Sequence, residues 1–289
     1  MRPENNKIST LIESIPYIQK FHGKTFVIKY GGNAMSDKKI AMKVAQDLVL
    51  LKLVGINIVI VHGGGPQIDE FLSKLDKPRK FHNGLRVTDN ETMDLVEMVL
   101  TGRVNKDIVT ILNKAGGYAF GLTGKDASFI QAKKIKSQVK NRKKTDLGRV
   151  GEVVNVDPSL LLNLISDKFI PVISPIGVDS KGDSLNINAD TVASEIAAEL
   201  KCEKLIFMTN TDGVMKKNKL IPSVSISEIS KLINNKIITG GMIPKVESAK
   251  MALKKSVKSA HIINGTTAHS LLLEVFTEKG IGTAITLKK

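Results

Sequence analysis

Two glycine-rich turns carry the residue types best suited to binding phosphate. In the first, Lys29 ends the apolar run 26–28 and is followed by Gly31 and Gly32. An ammonium group attracts anionic oxygens, and backbone without Cβ atoms lets them approach closely. A helix predicted over about residues 36–53 would point its free N–H groups at the same place. The pattern predicts a phosphate-binding turn, and an ordinary turn after a strand is the alternative.

The second turn, residues 63–65, repeats this arrangement. It follows the apolar run 57–62, and Pro66 suits the first turn of a helix. Two such units in tandem predict a βαβ arrangement with both turns at the carboxyl edge of a parallel sheet. Ligands of α/β proteins bind at that edge.

Arg86 comes just after a turn formed by Asn83 and Gly84. A guanidinium in that place could bind a carboxylate through two parallel hydrogen bonds. The alternative is an ordinary surface ion pair.

Three polar residues alternate in the segment 186–190. If the segment is extended, Asn186, Asn188 and Asp190 share one face. Amides can bind the amide and carboxylate groups of a substrate. Asp190 stands where a helix is predicted to begin, so it would cap that helix, orient cations, or do both.

Lys245 follows Gly240 and Gly241 near the start of a helix predicted to end at about Ser256. There the helix dipole and the ammonium group would both favour phosphate.

The elements that must position these residues alternate between strand and helix along the chain, which predicts an α/β fold with a parallel sheet. Before the first strand, an amphipathic helix is predicted with Pro16 as a kink. That helix packs either on another subunit or on its own domain. Its apolar residues recur at helical spacing: Ile8, Leu11, Ile12, Ile15 and Ile18.

Composition narrows the functional classes. The chain has 289 residues and a net charge of +15, but aromatic residues make up only 4% and Trp is absent, so stacking on nucleic-acid bases is disfavoured. The basic cluster 133–144 is predicted to be a solvated hairpin. The single cysteine, Cys202, excludes a disulfide framework. Without an apolar leader or a membrane-length run, we expect a soluble cytoplasmic protein, or a stromal one in a photosynthetic eukaryote.

Five segments resemble those of the amino-acid kinase family and cover nearly the whole chain in order. The glycine turns are shared with carbamate kinases, aspartokinases and uridylate kinases. The Gly-Leu-Arg-Val-Thr and Asn-Ile-Asn-Ala-Asp segments are more specific to members that act on N-acetyl-L-glutamate. The five segments are 29–32, 62–66, 84–88, 186–190 and 240–245.

The resemblance implies a three-layer α/β/α sandwich with a mainly parallel central sheet. It also implies phosphoryl transfer from ATP to the γ-carboxylate of N-acetyl-L-glutamate, a step of arginine synthesis, with Mg²⁺ carried by the nucleotide and no metal site on the protein. The N-terminal helix would span 1–21, the substrate lobe 22–200 and the ATP lobe 201–289.

Roles for individual residues follow from the same resemblance. Lys29 and Lys245 would neutralise charge on the transferred group, with Asp190 orienting them. The remaining implied ligands are the N–H groups of Gly31 and Gly32 for the phosphoryl group, and Gly64, Gly65, Arg86, Asn186 and Asn188 for the substrate.

The N-terminal helix and the segment 269–283 resemble the arginine-inhibited branch of the family. That branch forms hexamers, which are rings of dimers linked by N-terminal helices. Some members in oxygenic phototrophs bind the PII signalling protein, and this sequence does not establish that partner. The implied arginine site consists of Tyr17, Lys217, His269, Glu274 and Gly280.

Three alternatives stay open. The nearest is another kinase of the same fold, of the carbamate kinase or aspartokinase type. A second is a non-catalytic arginine-sensing subunit, which the presence of Lys29, Asp190 and Lys245 disfavours. A nucleic-acid-binding module is the third.

Overall fold

The structure is a computed structural model that describes residues 3–35, 37–135, 138–140 and 143–287. A 3-10 turn spans Gly32–Met35 and another spans Asp126–Ser128, and a π-helix spans Met98–Val104. The α-helices are α1 Pro3–Phe21, α2 Lys38–Leu53, α3 Gly65–Lys74, α4 Asn90–Glu97, α5 Asn105–Lys114, α6 Ser159–Ser166, α7 Ala189–Glu199, α8 Ile229–Asn234, α9 Met242–Lys255 and α10 Ser270–Phe276.

The strands are β1 Thr25–Tyr30, β2 Asn57–His62, β3 Phe81–His82, β4 Leu85–Arg86, β5 Ala119–Thr123, β6 Ile130–Lys134, β7 Gln138–Lys140, β8 Lys143–Thr145, β9 Gly151–Val156, β10 Ile170–Ser174, β11 Ile176–Val178, β12 Ser184–Asn186, β13 Lys204–Thr209, β14 Met215–Lys216, β15 Lys219–Leu220, β16 Ser223–Ser225, β17 Ser259–Asn264 and β18 Thr283–Thr286.

Strand β1 lies near the middle of an eight-stranded sheet with the order β16-β18-β17-β13-β1-β2-β10-β5. It pairs in parallel with both neighbours, so Lys29 lies beside Val61 on β2 and Phe207 on β13. The other pairs in the sheet are parallel too, except β17 with β18. The predicted parallel sheet is confirmed, and both glycine turns leave its carboxyl edge.

Alternation along β1 divides the core into two layers of packed side chains. Val27 packs on the face covered by α6, α7 and α9. Phe26, Ile28 and Tyr30 pack on the opposite face against α2, α4 and α5. Helices on both faces of one sheet make the expected three-layer sandwich. By the same alternation, Lys29 belongs to the α7 and α9 face.

A second sheet of four strands, ordered β12-β11-β6-β9, was not predicted as a unit. Its strands are short, and two of the three residues of β12 are polar. Antiparallel pairing of Ile176 with Asn186 brings the end of β12 beside the start of β11. Within the basic cluster, the described strands β7 and β8 pair antiparallel.

Several element boundaries differ from those predicted. The 3-10 turn after Gly32 delays α2 until Lys38, and the Asp37 carboxylate accepts hydrogen bonds from the N–H groups of Lys39 and Ile40. The sequence predicts two helices, over residues 90–100 and 104–114, but a π-helix joins α4 to α5 without a break.

Helix α1 matches the predicted N-terminal helix and contains Pro16. At its carboxyl end, Phe21 is buried and Tyr17 packs against the core layer that contains α2 and α10. Nearer its start, Ile8, Leu11 and Ile12 are exposed. Among the described helices, none has the length and apolarity needed to span a bilayer.

Candidate active site

Two lysines meet one carboxylate at the carboxyl edge of the large sheet. Lys29 Nζ lies 3.2 Å from Asp190 Oδ1, and Lys245 Nζ lies 3.0 Å from Asp190 Oδ2. Lys29 is the last residue but one of β1, while Asp190 and Lys245 lie in the first turns of α7 and α9. The structure therefore brings together the three residues predicted to be catalytic, from three distant parts of the chain.

Burial and charge act in opposite directions on this triad. Burial lowers the pKa of Lys29, with a further lowering from Lys245, and the nearby Asp190 carboxylate only partly offsets this. Burial alone would raise the pKa of Asp190, but the charges of Lys29 and Lys245 together hold that pKa below its ordinary value. Asp190 is thus ionised at neutral pH and bridges both ammonium groups.

The segment 186–190 is not extended throughout, so the condition for the predicted shared face is not met. Asn186 ends β12, and Asn188 rather than Asp190 caps α7. The side-chain oxygen of Asn188 accepts hydrogen bonds from the N–H groups of Asp190 at 2.8 Å and Thr191 at 3.3 Å. This cap leaves the Asp190 carboxylate to the lysines and the Asn188 amide NH₂ for other partners.

The first glycine turn is packed closely against charged and polar side chains. A Cβ atom on Gly31 would lie 2.8 Å from Lys29 Nζ, so glycine keeps space beside that ammonium group. Gly32 has φ +73°, and a Cβ there would lie 2.5 Å from the side-chain oxygen of Asn210. The turn also joins the second one, because the Gly63 N–H donates to the Tyr30 carbonyl at 2.8 Å.

The buried side chain of His62 contacts the second glycine turn. Its Nδ1 lies 2.7 Å from the Gly63 carbonyl oxygen, so Nδ1 carries the proton and Nε2 accepts. Around Nε2 lie Ser174 Oγ at 3.0 Å and Asn105 Nδ2 at 3.2 Å. Complete burial lowers the pKa of His62 to about 4. A neutral, fully buried imidazole suits a role in orienting the glycine turn and does not suit proton transfer.

A cleft of about 630 Å³ lies between the second glycine turn and the Asn186 segment. It is lined by all of the predicted substrate ligands, Gly64, Gly65, Arg86, Asn186 and Asn188.

Arg86 is the charged residue of this cleft, and it is only 8% exposed. Its Nη2 donates to Asp69 Oδ1 at 2.5 Å, whereas its Nη1 is buried without a hydrogen-bond partner. A buried cationic N–H group without an acceptor is costly, which marks this atom as a place for an anionic ligand oxygen.

Thr88 connects Asn186 to the strand that carries Arg86. The Asn186 amide donates to Thr88 Oγ1 at 3.2 Å, and that hydroxyl donates to the Arg86 carbonyl at 2.8 Å. These bonds fix the Asn186 side chain relative to the cleft and leave its carbonyl oxygen as an acceptor.

A second cleft, of about 850 Å³, opens beside Lys245. It is lined by the loop after β13, including Asn210 and Gly213, and by Thr239 and Gly241 before α9. The size of this cleft, its glycine backbone and the ammonium group of Lys245 suit a nucleotide. Asn210 faces this cleft and also packs on Gly32, so the two clefts meet at the first glycine turn.

The side chains here do not suit a metal ion held by the protein. Among the described residues, no three or more His, Cys, Asp or Glu side chains form a cluster that could hold one. Asp190 is already paired with two ammonium groups. We therefore derive no step through a protein-bound magnesium ion.

Three residues of the implied arginine site lie in or beside α10, and they are His269, Glu274 and Gly280. Burial alone would raise the pKa of Glu274, but hydrogen bonding to His261 and to the backbone lowers it. Its carboxylate lies 2.6 Å from His261 Nδ1 and accepts from the Ile281 N–H at 2.8 Å. A Cβ on Gly280 would lie 2.7 Å from the same carboxylate.

His269 precedes α10 in a left-handed conformation, and its Nδ1 lies 2.6 Å from Asp47 Oδ1. Tyr17 reaches this region through α1, which packs on α10. Lys217 is exposed in the turn between β14 and β15. The implied arginine site stays a prediction, with Glu274 and Gly280 in close contact and His269 directly before α10.

Asp69, Phe81, Asn105, Ser174 and Asn210 belong to the site but were not found from the sequence. Asp69 follows the second glycine turn by one helical turn, and that spacing was the available signal. The others contact the site only through tertiary packing.

Comparison with known proteins agrees with this geometry. The model of the amino acid kinase family matches residues 24–264. The chain belongs to the amino acid kinase family. Acetylglutamate kinase of Nitrosomonas eutropha is 53% identical over 284 residues, covering 97% of this chain and 96% of that protein. Acetylglutamate kinase of Methanocaldococcus jannaschii is 54% identical over 288 residues, covering 97% and 96%.

Two solved structures share the fold of this chain. N-acetylglutamate synthase from Neisseria gonorrhoeae, complexed with coenzyme A and N-acetyl-glutamate, superposes with a TM-score of 0.86 at 26% identity. The match covers 98% of this chain, which spans 64% of the synthase. Giardia carbamate kinase gives a TM-score of 0.64 at 19% identity, covering 92% of this chain and 99% of that one, which concerns the fold alone.

Proposed function

We propose that this chain transfers the γ-phosphoryl group of ATP to the γ-carboxylate of N-acetyl-L-glutamate, giving N-acetyl-L-glutamyl 5-phosphate for arginine synthesis. The observation that carries the proposal is the buried Arg86 Nη1, which lacks a partner in the cleft beside the second glycine turn. The α-carboxylate of the substrate would supply that partner. The two relatives named above, with identities of 53% and 54%, support this choice of acceptor.

The acceptor is already an anion at neutral pH, so no general base is needed. A γ-carboxylate oxygen forms the new bond to phosphorus as the bond between phosphorus and the ADP oxygen breaks. Catalysis then consists of alignment and charge neutralisation. Lys29 and Lys245 supply the positive charge, and Asp190 holds their ammonium groups in place.

The backbone and the amides complete the assignment. The N–H groups of Gly31 and Gly32 would hold the phosphoryl oxygens, and those of Gly64 and Gly65 the substrate. The Asn186 oxygen would accept from the acetamido N–H, while the Asn188 NH₂ would donate to a substrate oxygen. In this assignment residues 22–200 bind the acceptor and 201–289 bind ATP with its Mg²⁺.

The test is ATP-dependent acyl-phosphate formation, trapped as the hydroxamate, with N-acetylglutamate, glutamate, aspartate and carbamate as acceptors. We expect turnover of N-acetylglutamate alone. Turnover of carbamate or aspartate instead would assign the chain to another kinase of the fold. Failure with all four acceptors would remove the kinase assignment and favour a regulatory subunit.

Arginine inhibition and a hexamer built through α1 are a second part of the proposal. Exposed Leu11 and Ile12 on α1 supply an apolar surface for a partner subunit. Glu274 is the natural partner of a guanidinium, and arginine would have to compete with His261 for it. Repeating the assay with arginine tests the inhibition, and unchanged turnover would discard it.

Deletion of residues 1–20 tests the assembly, with activity and size-exclusion elution as readouts. We expect an active protein that elutes as a smaller oligomer. A truncated chain that stays hexameric would exclude α1 as the link.

A further inference from the structure

Asp69 holds one side of the Arg86 guanidinium. The distance between Asp69 Oδ1 and Arg86 Nη2 is 2.5 Å, and the same Nη2 lies 3.5 Å from the Gly65 carbonyl oxygen. Asp69 is on the first turns of α3, four residues after Gly65, so one helix supplies both acceptors. Nη1 is the nitrogen left without a partner.

Phe81 restrains the guanidinium in a second direction. The Arg86 Cζ atom lies 4.6 Å from the centroid of the Phe81 ring, within the range of a cation–π contact. The ring belongs to β3, which pairs with β4 so that Phe81 is opposite Arg86. The hairpin therefore sets the plane of the guanidinium, and α3 sets its rotation within that plane.

We propose that Asp69 is a positioning residue for substrate selection, which acts through Arg86 and is supported by Phe81. The inference rests on the proposed function and deepens it. Because Asp69 holds Nη2, the α-carboxylate would bind mainly through Nη1, the nitrogen that lacks a partner. The side chain is ordered before substrate arrives, so binding the α-carboxylate costs little conformational entropy.

Asp69 also sets the charge of the empty cleft. Arg86 and Asp69 form a partly buried pair, with side-chain exposures of 7% and 26%. A paired guanidinium attracts phosphate groups less strongly than a free one. The cleft then selects a substrate that places a carboxylate against Nη1 in the correct orientation.

The experiment compares two acceptors that differ only in the group Arg86 would bind. N-acetyl-L-glutamate carries the α-carboxylate, whereas 4-acetamidobutanoate keeps the acetamido group and the reacting carboxylate but lacks it. Wild type, Asp69→Ala and Asp69→Asn are assayed for KM and kcat with each acceptor. Wild-type turnover of N-acetylglutamate is established first, because its absence would overturn the proposed function and not the role of Asp69.

In Asp69→Ala we expect KM for N-acetylglutamate to rise about tenfold or more, as loss of a hydrogen bond to a charged group implies. The KM for ATP and kcat/KM for 4-acetamidobutanoate should change less than about twofold. Asp69→Asn keeps an oxygen that can accept from Nη2, so it should restore most of the affinity. An equal loss with both acceptors, or no loss with either, would overturn the proposal.

Folding is controlled by two further variants. Asp107→Ala removes the partner of an exposed arginine, Arg103, and should behave as wild type. Phe81→Leu removes the ring but not the ion pair, and Phe81 is 56% exposed, so the variant should fold. It should raise KM for N-acetylglutamate selectively, as Asp69→Ala does but less strongly. A Phe81→Leu enzyme with wild-type constants would exclude the ring from the positioning role.

Discussion

Asp190 Oδ2 accepts a hydrogen bond from Lys245 Nζ at 3.0 Å, although the two residues lie 55 positions apart in the chain. Each is in the first turn of its helix, and α7 and α9 pack together. A cation at the start of a helix is disfavoured by the helix dipole, so Lys245 needs this carboxylate.

Replacement of Asp190 by Asn should reduce kcat by about 10²- to 10³-fold, a range typical for loss of a preorganised electrostatic group. Two buried ammonium groups would then repel each other, and Lys29 would lose its charge more readily. Glu247→Gln, which removes an exposed partner of Lys250, serves as the control. A kcat within threefold of wild type would show that the lysines do not need the bridge.

Lys245→Ala should damage turnover more than substrate binding, because the ammonium group stabilises charge that develops during transfer. Steady-state kinetics should show a fall in kcat of at least about 10²-fold with a smaller change in either KM. Lys250→Ala, on the same helix, is the control and should retain activity. Near-normal turnover of Lys245→Ala would remove Lys245 from the site.

Arg86→Ala should chiefly weaken N-acetylglutamate binding, with a rise in KM of about 10- to 100-fold from the loss of a buried charged contact. ATP affinity, measured by titration without the acceptor, should be nearly unchanged. Arg103→Ala removes an exposed arginine and is the matched control. An equal loss of ATP affinity would contradict the role of Arg86 in binding the α-carboxylate.

His62 should make stability depend on pH in the acid range. Its pKa is about 4 in the folded protein and 6.5 as the ordinary value, so between these the unfolded chain binds the extra proton. Unfolding free energy should therefore fall by about 3 kcal/mol as pH drops from 6.5 to 4.

Urea denaturation of wild type and His62→Gln over that interval measures this effect. The variant should lose this part of the slope, whereas His22→Gln, at an exposed histidine, should keep it. Parallel curves for wild type and His62→Gln would show that His62 does not titrate on unfolding.

The sequence predicts β1 and β2 well because they are apolar runs that end in glycine turns. Strands β1 and β2 and their glycine turns were found within a residue or two, and Lys29 with them. Strand β12 was missed because only Leu185 among its three residues is apolar, so no periodicity distinguishes it from a turn.

A site residue can be predicted from the sequence where a distinctive local motif stands next to it. Arg86 was found through the Asn-Gly turn before it, but its partner Asp69 was not. The Asp69 contact arises from packing of α3 against the β3–β4 hairpin, which local spacing does not encode. The segment 186–190 offers three residues that can cap a helix. The choice of Asn188 depends on where β12 ends, which only the fold determines.

The central position of β1 has a consequence for synthesis of the chain. One edge of β1 is completed early by β2, whereas the other edge receives β13, whose residues 204–209 follow much later. Until then, a nascent chain presents an apolar strand with free hydrogen-bonding groups, which is a template for aggregation. Residues 22–200 and 201–289 contribute strands to one sheet, so a fragment that ends near residue 200 should aggregate when expressed alone.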